Sequence, residues 1–324
     1  MRSYWIMTWL LTGGAGYIGS HVAHALRASG RAVVALDDLS TGYSSRLPEG
    51  VPLIRASVLD LATVVRTLRR YRITGIIHLA AKKSVSDSVI RPGYYYQQNV
   101  VGLRRLLEAM RATDIFRLVF SSSAAVYGNA STGVLDEMSG TVPVSPYGKT
   151  KLLGEDLVRR AGLDTGLSWL ALRYFNVVGA AKPHLGDIGV ANLVPMAFHA
   201  LDNRRCPQIF GNDYPTPDGT CVRDYVHVAD VADAHLSAAA HLEHHHAATV
   251  YNIGTGIGSS VKEVLDTVRR ITGHSFEPQV VGRRIGDPAT VVARTTAIEA
   301  ALGWSACHDL QQMVASAWSS WRAH

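Results

Sequence analysis

The stretch Leu10-Leu11-Thr12-Gly13-Gly14-Ala15-Gly16-Tyr17-Ile18-Gly19-Ser20-His21 decides the fold. Apolar residues lead into it and read as a strand over 7–12, and residues 17–29 carry helical spacing. A glycine-rich turn between a strand and a helix is the context in which such a turn binds a dinucleotide. Glycines allow the tight bend and let backbone N–H groups approach a pyrophosphate at the helix N-terminus. The next strand closes on Asp37-Asp38. An acid at that point accepts hydrogen bonds from a ribose 2′-hydroxyl and repels a 2′-phosphate, so NAD is expected rather than NADP. A glycine turn serving only helix–strand packing is the competing reading. Turn, flanking elements and acid together speak against it.

Outward from this turn, short apolar strands read at 7–12, 32–37, 51–55, 75–80 and 116–122, with helical stretches at 17–29, 60–71 and 99–113. The alternation predicts an α/β chain: a Rossmann-type, doubly wound parallel sheet. Ser145-Pro146 opens a further helix that runs to about 161, with Ser145 as N-cap and Pro146 in the first turn. A strand at 167–174 follows. Beyond Gly179 the segments shorten and prolines recur, with helices expected at 191–203, 228–243, 260–272 and 309–321. The expected division is a dinucleotide-binding domain over 1–178 and a smaller α/β substrate region over 179–324, with the chain crossing back onto the first. Residues 1–6 read as an extension upstream of the fold.

Tyr147 and Lys151 stand four apart on the predicted helix, hence on one face about a turn from each other. An ammonium fixed beside a phenol favours the phenolate, and this predicts a Tyr147 pKa below the usual value near 10. Ser121-Ser122-Ser123 ends an apolar strand. Ser123 is placed there to steady charge on a reacting oxygen or to shuttle its proton.

Composition excludes several classes. The chain has 324 residues, 47% hydrophobic and 18% charged, as expected of a globular protein. No apolar run approaches the roughly 18 residues of a membrane span, and the start is too short for a signal peptide. The net charge of +6 comes from scattered rather than clustered cations. It predicts a basic surface and an anionic small-molecule substrate, not nucleic acid. The three cysteines, Cys206, Cys221 and Cys307, lack metal-ligand spacing and read as free thiols in a reducing cytoplasm. His244-His245-His246 reads as a solvated helix end, and no metal is expected.

Taken together, these motifs resemble the extended short-chain dehydrogenase/reductases and, within them, the UDP-glucose (UDP-galactose) 4-epimerase group, over nearly the whole chain. The carrying segments are the glycine turn, Phe120-Ser121-Ser122-Ser123-Ala124-Ala125-Val126-Tyr127-Gly128, Ser145-Pro146-Tyr147-Gly148-Lys149-Thr150-Lys151 and Leu172-Arg173-Tyr174-Phe175-Asn176. The most specific is Ile209-Phe210-Gly211-Asn212-Asp213-Tyr214-Pro215-Thr216, continuing through Asp218 to Val228. The resemblance implies bound NAD and reversible inversion at C4 of a UDP-hexose, through a transient 4-keto sugar and without net oxidation. It implies Ser123, Tyr147 and Lys151 as the catalytic residues. For NAD it implies Gly13, Gly16, Tyr17, Ile18, Gly19, Asp37, Asp38, Ser57, Val58, Leu79, Ala80, Lys83, Asn99 and Phe175, beside the catalytic three. For the UDP-sugar it implies Asn176, Asn192, Leu193, Phe210, Arg223, Arg284 and Asp287, with Val291 bordering the sugar. Two guanidinium forks suit a diphosphate. A homodimer paired through the helices near 99–113 and 147–161 is implied by the same analogy.

The chain departs from the family pattern in four places. Ser57 replaces the acid that contacts adenine, so looser NAD retention is expected. Ala125 replaces a threonine after the serine run. Residues 186–192 form a shortened loop, and Arg294 stands where an aspartate is usual. A small residue at Val291 leaves room for a 2-acetamido group, so UDP-N-acetylglucosamine is an alternative substrate. A nucleotide-sugar dehydratase needs an acidic pair beside the serine run, and Ala124-Ala125 offers none. A uronic-acid epimerase would need a further cation near the sugar, and a non-catalytic NAD-binding regulator would have no use for the serine, tyrosine and lysine together.

Overall fold

The computed structural model describes residues 7–128, 133–284 and 286–324. The proposed extension 1–6 lies outside them, as does Ile285 within the Arg284–Asp287 motif. In chain order the first elements are β1 (Thr8–Thr12), α1 (Tyr17–Ala28), β2 (Ala32–Asp37), β3 (Leu53–Arg55), α2 (Leu61–Arg70), β4 (Gly75–His78), α3 (Val85–Ile90), α4 (Pro92–Tyr95), α5 (Gly102–Arg111) and β5 (Arg117–Ser123). Then come β6 (Val134–Leu135), α6 (Pro146–Thr165), β7 (Ser168–Tyr174), β8 (Asn176–Val178), α7 (Leu193–Asp202), β9 (Gln208–Phe210), β10 (Val222–His227) and α8 (Val228–His244). The last are β11 (Ala248–Ile253), β12 (Gly258–Ser260), α9 (Val261–Thr272), β13 (Gln279–Val281), β14 (Thr290–Ala293), α10 (Thr296–Leu302) and α11 (Leu310–Trp321). They form two compact units, Met1–Val126 with Ser145–Arg173 and Ala232–Tyr251, and Tyr127–Val144 with Tyr174–Val231 and Asn252–His324.

The first unit is built on a seven-stranded sheet of order β11-β7-β5-β4-β1-β2-β3. The pairs β1–β2, β1–β4, β2–β3 and β4–β5 are parallel. The order reverses between β1 and β4, so the ligand crevice of such a sheet lies at their C-terminal ends. Those ends are joined by a 2.7 Å hydrogen bond between Thr12 Oγ1 and His78 Nδ1. Strand interiors are mostly apolar because helices cover the sheet. Leu10, Val34, Leu36, Ile76, Leu118 and Phe120 pack with Leu103, Leu106 and Val158 in one core. Each such side chain contributes about 1.5–3 kcal/mol through burial.

Helix α6 forms for reasons visible in its ends. Ser145 Oγ accepts from Gly148 N at 3.0 Å, Pro146 occupies the first turn, and Gly166 ends the helix at φ 71°. Gly154 lets the helix lie close on β5: a Cβ there would fall 2.5 Å from the Phe120 ring. The helix expected over 99–113 starts earlier: α4, a π-helical turn at Tyr96–Val101 and α5 follow one another directly, and α5 ends at Arg111. The strand expected to reach residue 80 stops at His78.

The second unit carries a five-stranded sheet of order β12-β10-β14-β6, with β8 also paired to β10. Its short strands show no period-2 pattern long enough to read from sequence, and β13–β9 form a separate parallel pair. Val194, Phe198, Val264, Leu265, Met313 and Val314 hold α7, α9 and α11 together. Asp224, fully buried, accepts from Thr255 N and Oγ1 at 2.8 Å, from Gly256 N at 2.9 Å and from Ala293 N at 3.1 Å. Four donors offset the desolvation of one carboxylate, and they fix the strand that carries Arg223.

Candidate active site

In the first unit the glycine turn is a cradle in which side chains do not fit. A Cβ on Gly13, at φ 71°, would lie 2.7 Å from Ala80 N, and one on Gly19 would lie 2.1 Å from Gly13 O. Gly16 begins α1 with no side-chain cap, so the first N–H groups of that helix face outward as an anion site. Asp37 is 7% exposed. Its Oδ2 accepts from Ala15 N at 3.0 Å and its Oδ1 from Leu39 N at 2.8 Å. The carboxylate thus holds the turn and keeps lone pairs for a ribose. Burial raises its pKa against those two bonds. Asp38, next in the chain, is exposed, and its partial desolvation is outweighed by its bonds to Ser40 and the nearby Lys82, which bring its pKa below the ordinary value. These features fit a dinucleotide with a free 2′-hydroxyl.

The other expected cofactor residues divide. Lys83 is exposed, with Nζ 5.5 Å above the Tyr17 ring, beside the turn. Ser57 Oγ accepts from Leu59 N at 3.2 Å, and Val58 is buried beneath α5. Asn99 braces protein: its Oδ1 accepts from Lys82 N at 2.8 Å, and its Nδ2 donates to Lys82 O and Thr150 Oγ1, each at 3.0 Å. Phe175 belongs to the second unit, where its ring lies 6.4 Å from that of Tyr127.

Tyr147 and Lys151 share one face of α6, with Nζ 6.0 Å from the phenol ring centroid. Ser123 hydrogen-bonds the phenol. Lys151 is 4% exposed and donates to Ser121 O at 2.7 Å. The electrostatics differ from expectation. Tyr147 keeps some open surface, yet burial of its hydroxyl raises its pKa to about 12, against the lowering bond from Ser123. Burial lowers Lys151 to about 8, with Glu155 opposing. Desolvation therefore outweighs the ammonium in the protein alone.

A network behind these residues was not anticipated. Glu155 accepts from Arg173 Nε at 2.9 Å and Nη2 at 2.6 Å, and from Ser122 Oγ at 2.5 Å. All three side chains are buried. Ser121 and Ser122, adjacent in β5, are thus tied to α6 through Lys151 and Glu155, which holds Ser123 against Tyr147. The signal lay in the sequence, since Glu155 follows Lys151 by the same four-residue step.

The second unit holds a cavity of about 820 Å³. Asn176, Asn192, Leu193, Phe210, Arg223, Arg284 and Asp287 all line it. Val291 does not figure in that lining; it pairs with Arg223 in parallel register between β14 and β10. Arg223 Nη2 donates to Asp287 Oδ1, and its Nη1 donates to Val222 O at 2.8 Å. Arg284 is exposed, with its guanidinium carbon 3.8 Å over the Phe210 ring. Asn192 Nδ2 donates to Asp187 Oδ2 at 3.1 Å within the shortened loop. Two cations and two amides around an apolar wall suit a phosphorylated, ring-bearing ligand.

A family model described as the NAD dependent epimerase/dehydratase family matches residues 9–254. The UDP-glucose 4-epimerase of Azospirillum brasilense is 42% identical over 318 residues, 96% of this chain and 91% of that protein. A crystal structure of UDP-glucose-4-epimerase from Stenotrophomonas maltophila, with bound NAD and formylated UDP-arabinopyranose, superposes with a TM-score of 0.94 at 38% identity, covering 98% of each chain. One from Bifidobacterium longum in complex with NAD+ and UDP gives 0.90 at 34% identity, again covering 98% of each chain.

Proposed function

The chain belongs to the NAD dependent epimerase/dehydratase family, and from that premise we propose that it inverts C4 of a UDP-hexose reversibly, interconverting UDP-glucose and UDP-galactose. The observation that carries this reading is the Ser123–Tyr147–Lys151 cluster, braced by Glu155 behind the cofactor crevice, in a chain whose second unit offers a cavity built for a nucleotide diphosphate.

When bound, the nicotinamide supplies a hydride acceptor that returns the hydride to the opposite face of C4, and its positive ring favours the phenolate. The protein's part is proton handling and grip. Tyr147 takes the 4-hydroxyl proton and gives it back. Ser123, bonded to the same phenol, steadies charge on the reacting oxygen. Lys151, fixed on Ser121 O, holds cationic charge at one point beneath the phenol. Its pKa of about 8 keeps it mainly protonated at neutral pH. In the second unit Arg223 and Arg284 are assigned to the diphosphate, Asp287 to the ribose and Phe210 to an apolar contact.

Acceptance of a 2-acetamido sugar is a second reading, which rests on the family resemblance at Val291 and not on the cavity, whose lining does not include that residue. A homodimer through the helices near 99–113 and 147–161 is carried by the family resemblance; Leu153 on α6 is substantially exposed. Three cysteines outside disulfides support a reducing, cytoplasmic compartment. No helix among the described residues is long and apolar enough to cross a membrane.

The test is incubation of purified protein and NAD with UDP-galactose and, separately, UDP-N-acetylgalactosamine. C4 epimers forming without NADH accumulation are the expected result. Net NADH production, or no epimer from either sugar, would overturn the assignment. A rate ratio strongly favouring the unacetylated sugar would remove the second reading.

A further inference from the structure

Away from the crevice and the cavity, the second unit brings together three side chains of different chemistry. Asp230 lies in the first turn of α8, while Cys307 and His308 precede α11. The thiol lies 3.1 Å from Asp230 Oδ1 and 3.5 Å from His308 Nδ1, and His308 Nδ1 lies 2.7 Å from Asp230 Oδ1. We propose that Asp230 Oδ1, Cys307 Sγ and His308 Nδ1 form a site for a zinc-class divalent cation, with a solvent molecule as fourth ligand.

Zinc bonds of about 2.3 Å to sulfur and about 2.0–2.1 Å to nitrogen and oxygen put ligand atoms about 3.3–3.6 Å apart in a tetrahedron. The three observed separations need to open by at most about 0.6 Å to receive the ion. A thiolate, an imidazole and a carboxylate are the donor set that zinc takes in proteins. The charge balances: a dication with one carboxylate and one thiolate is neutral, and the thiol proton leaves to solvent on binding. This matters because the Asp230 side chain is only 2% exposed. Cys307 is exposed and His308 partly so, which leaves an entry path and an open fourth position.

The site is held from behind. Buried Trp304 donates Nε1 to Asp230 O at 3.0 Å, and His308 N donates to Asp230 Oδ2 at 3.2 Å. Asp309 then starts α11 with a reciprocal capping box to Gln312. The His308 ring stacks on His227 at 4.2 Å, and His227 is fixed in turn by Ala229 N and Ser316 Oγ. Second-layer contacts of this kind orient metal-binding imidazoles.

The experiment is titration of the full, chelator-treated chain with cobalt(II) under anaerobic conditions. One equivalent is expected to give a thiolate-to-cobalt charge-transfer band with the intense visible bands of tetrahedral cobalt, both erased by zinc. Cys307→Ser should remove the charge-transfer band and weaken cobalt binding by about 100-fold or more. His308→Ala should weaken it similarly, and a Cys206→Ser/Cys221→Ser chain should keep the band. Circular dichroism checks that each variant folds. Absence of the band in the native chain, or its survival in Cys307→Ser, overturns the site.

Discussion

The two units handle charge in opposite ways. In the first, the groups behind the proton-transferring Tyr147 are buried and individually tied down: Lys151 to a strand carbonyl, Glu155 to Arg173 and Ser122. In the second, Arg284 stands exposed over Phe210, and Arg223 keeps a carboxylate partner at the cavity wall. Proton transfer requires atoms held to fractions of an ångström, so its groups are locked before any ligand arrives. Grip on a diphosphate requires charge that can close around it, and here Arg284 is the exposed cation, while Arg223 is mostly covered and held by Asp287. Substitutions should accordingly fail in different currencies, chemistry on one side and affinity on the other.

The sharpest break is Tyr147→Phe, which should lower turnover by about 10²–10⁴-fold. Binding of NAD and of UDP, read by calorimetry, should persist. Next, Glu155→Gln leaves the Arg173 guanidinium buried without its anion and should cost about 3–5 kcal/mol in urea unfolding; an unchanged midpoint would mean that the brace is dispensable. Arg223→Ala should weaken UDP binding about 10- to 100-fold with a far smaller change in kcat. A kcat loss as large as that of Tyr147→Phe would erase the contrast between units.

Two smaller effects sharpen it. In NAD-free protein, the tyrosinate absorbance of native minus Tyr147→Phe should be absent at the ordinary phenol pKa and emerge near 12. The sign follows: folding favours the neutral phenol, so this stabilisation is complete below the unfolded pKa of about 10 and lost as pH rises through 12. Lys151 acts oppositely. Its folded pKa of about 8 lies below the ordinary 10.5, so stability rises with pH between those values. Least of all, Ser57→Asp should tighten NAD about fivefold while keeping the bond to Leu59 N, read by the NAD content of purified protein.

What was legible in the sequence follows from range. The glycine turn, Asp37 and the Tyr147–Lys151 step are local patterns, and the structure sets them on the elements that their spacing predicts. The seven polar and apolar residues of the cavity were reached through resemblance, since nothing local joins Asn176 to Arg284. Tyr147's raised pKa escaped because spacing reports which charges are near but not how much water is lost. Asn99 was assigned to the cofactor, whereas both its amide hydrogens serve Lys82 and Thr150, a closure across the fold that no window contains. Asp230 and His308 are likewise 78 positions apart.

The π-helical turn at Tyr96–Val101 holds one residue more than a regular α-helix of the same rise would need. Asn99 sits inside that bulge. Deleting a single residue there would let the turn relax to ordinary winding and swing every following side chain by roughly 100°. The helix would become more regular, yet the amide that pins the loop at Lys82 would face elsewhere. A perfected helix is here the expected route to a slackened cofactor crevice.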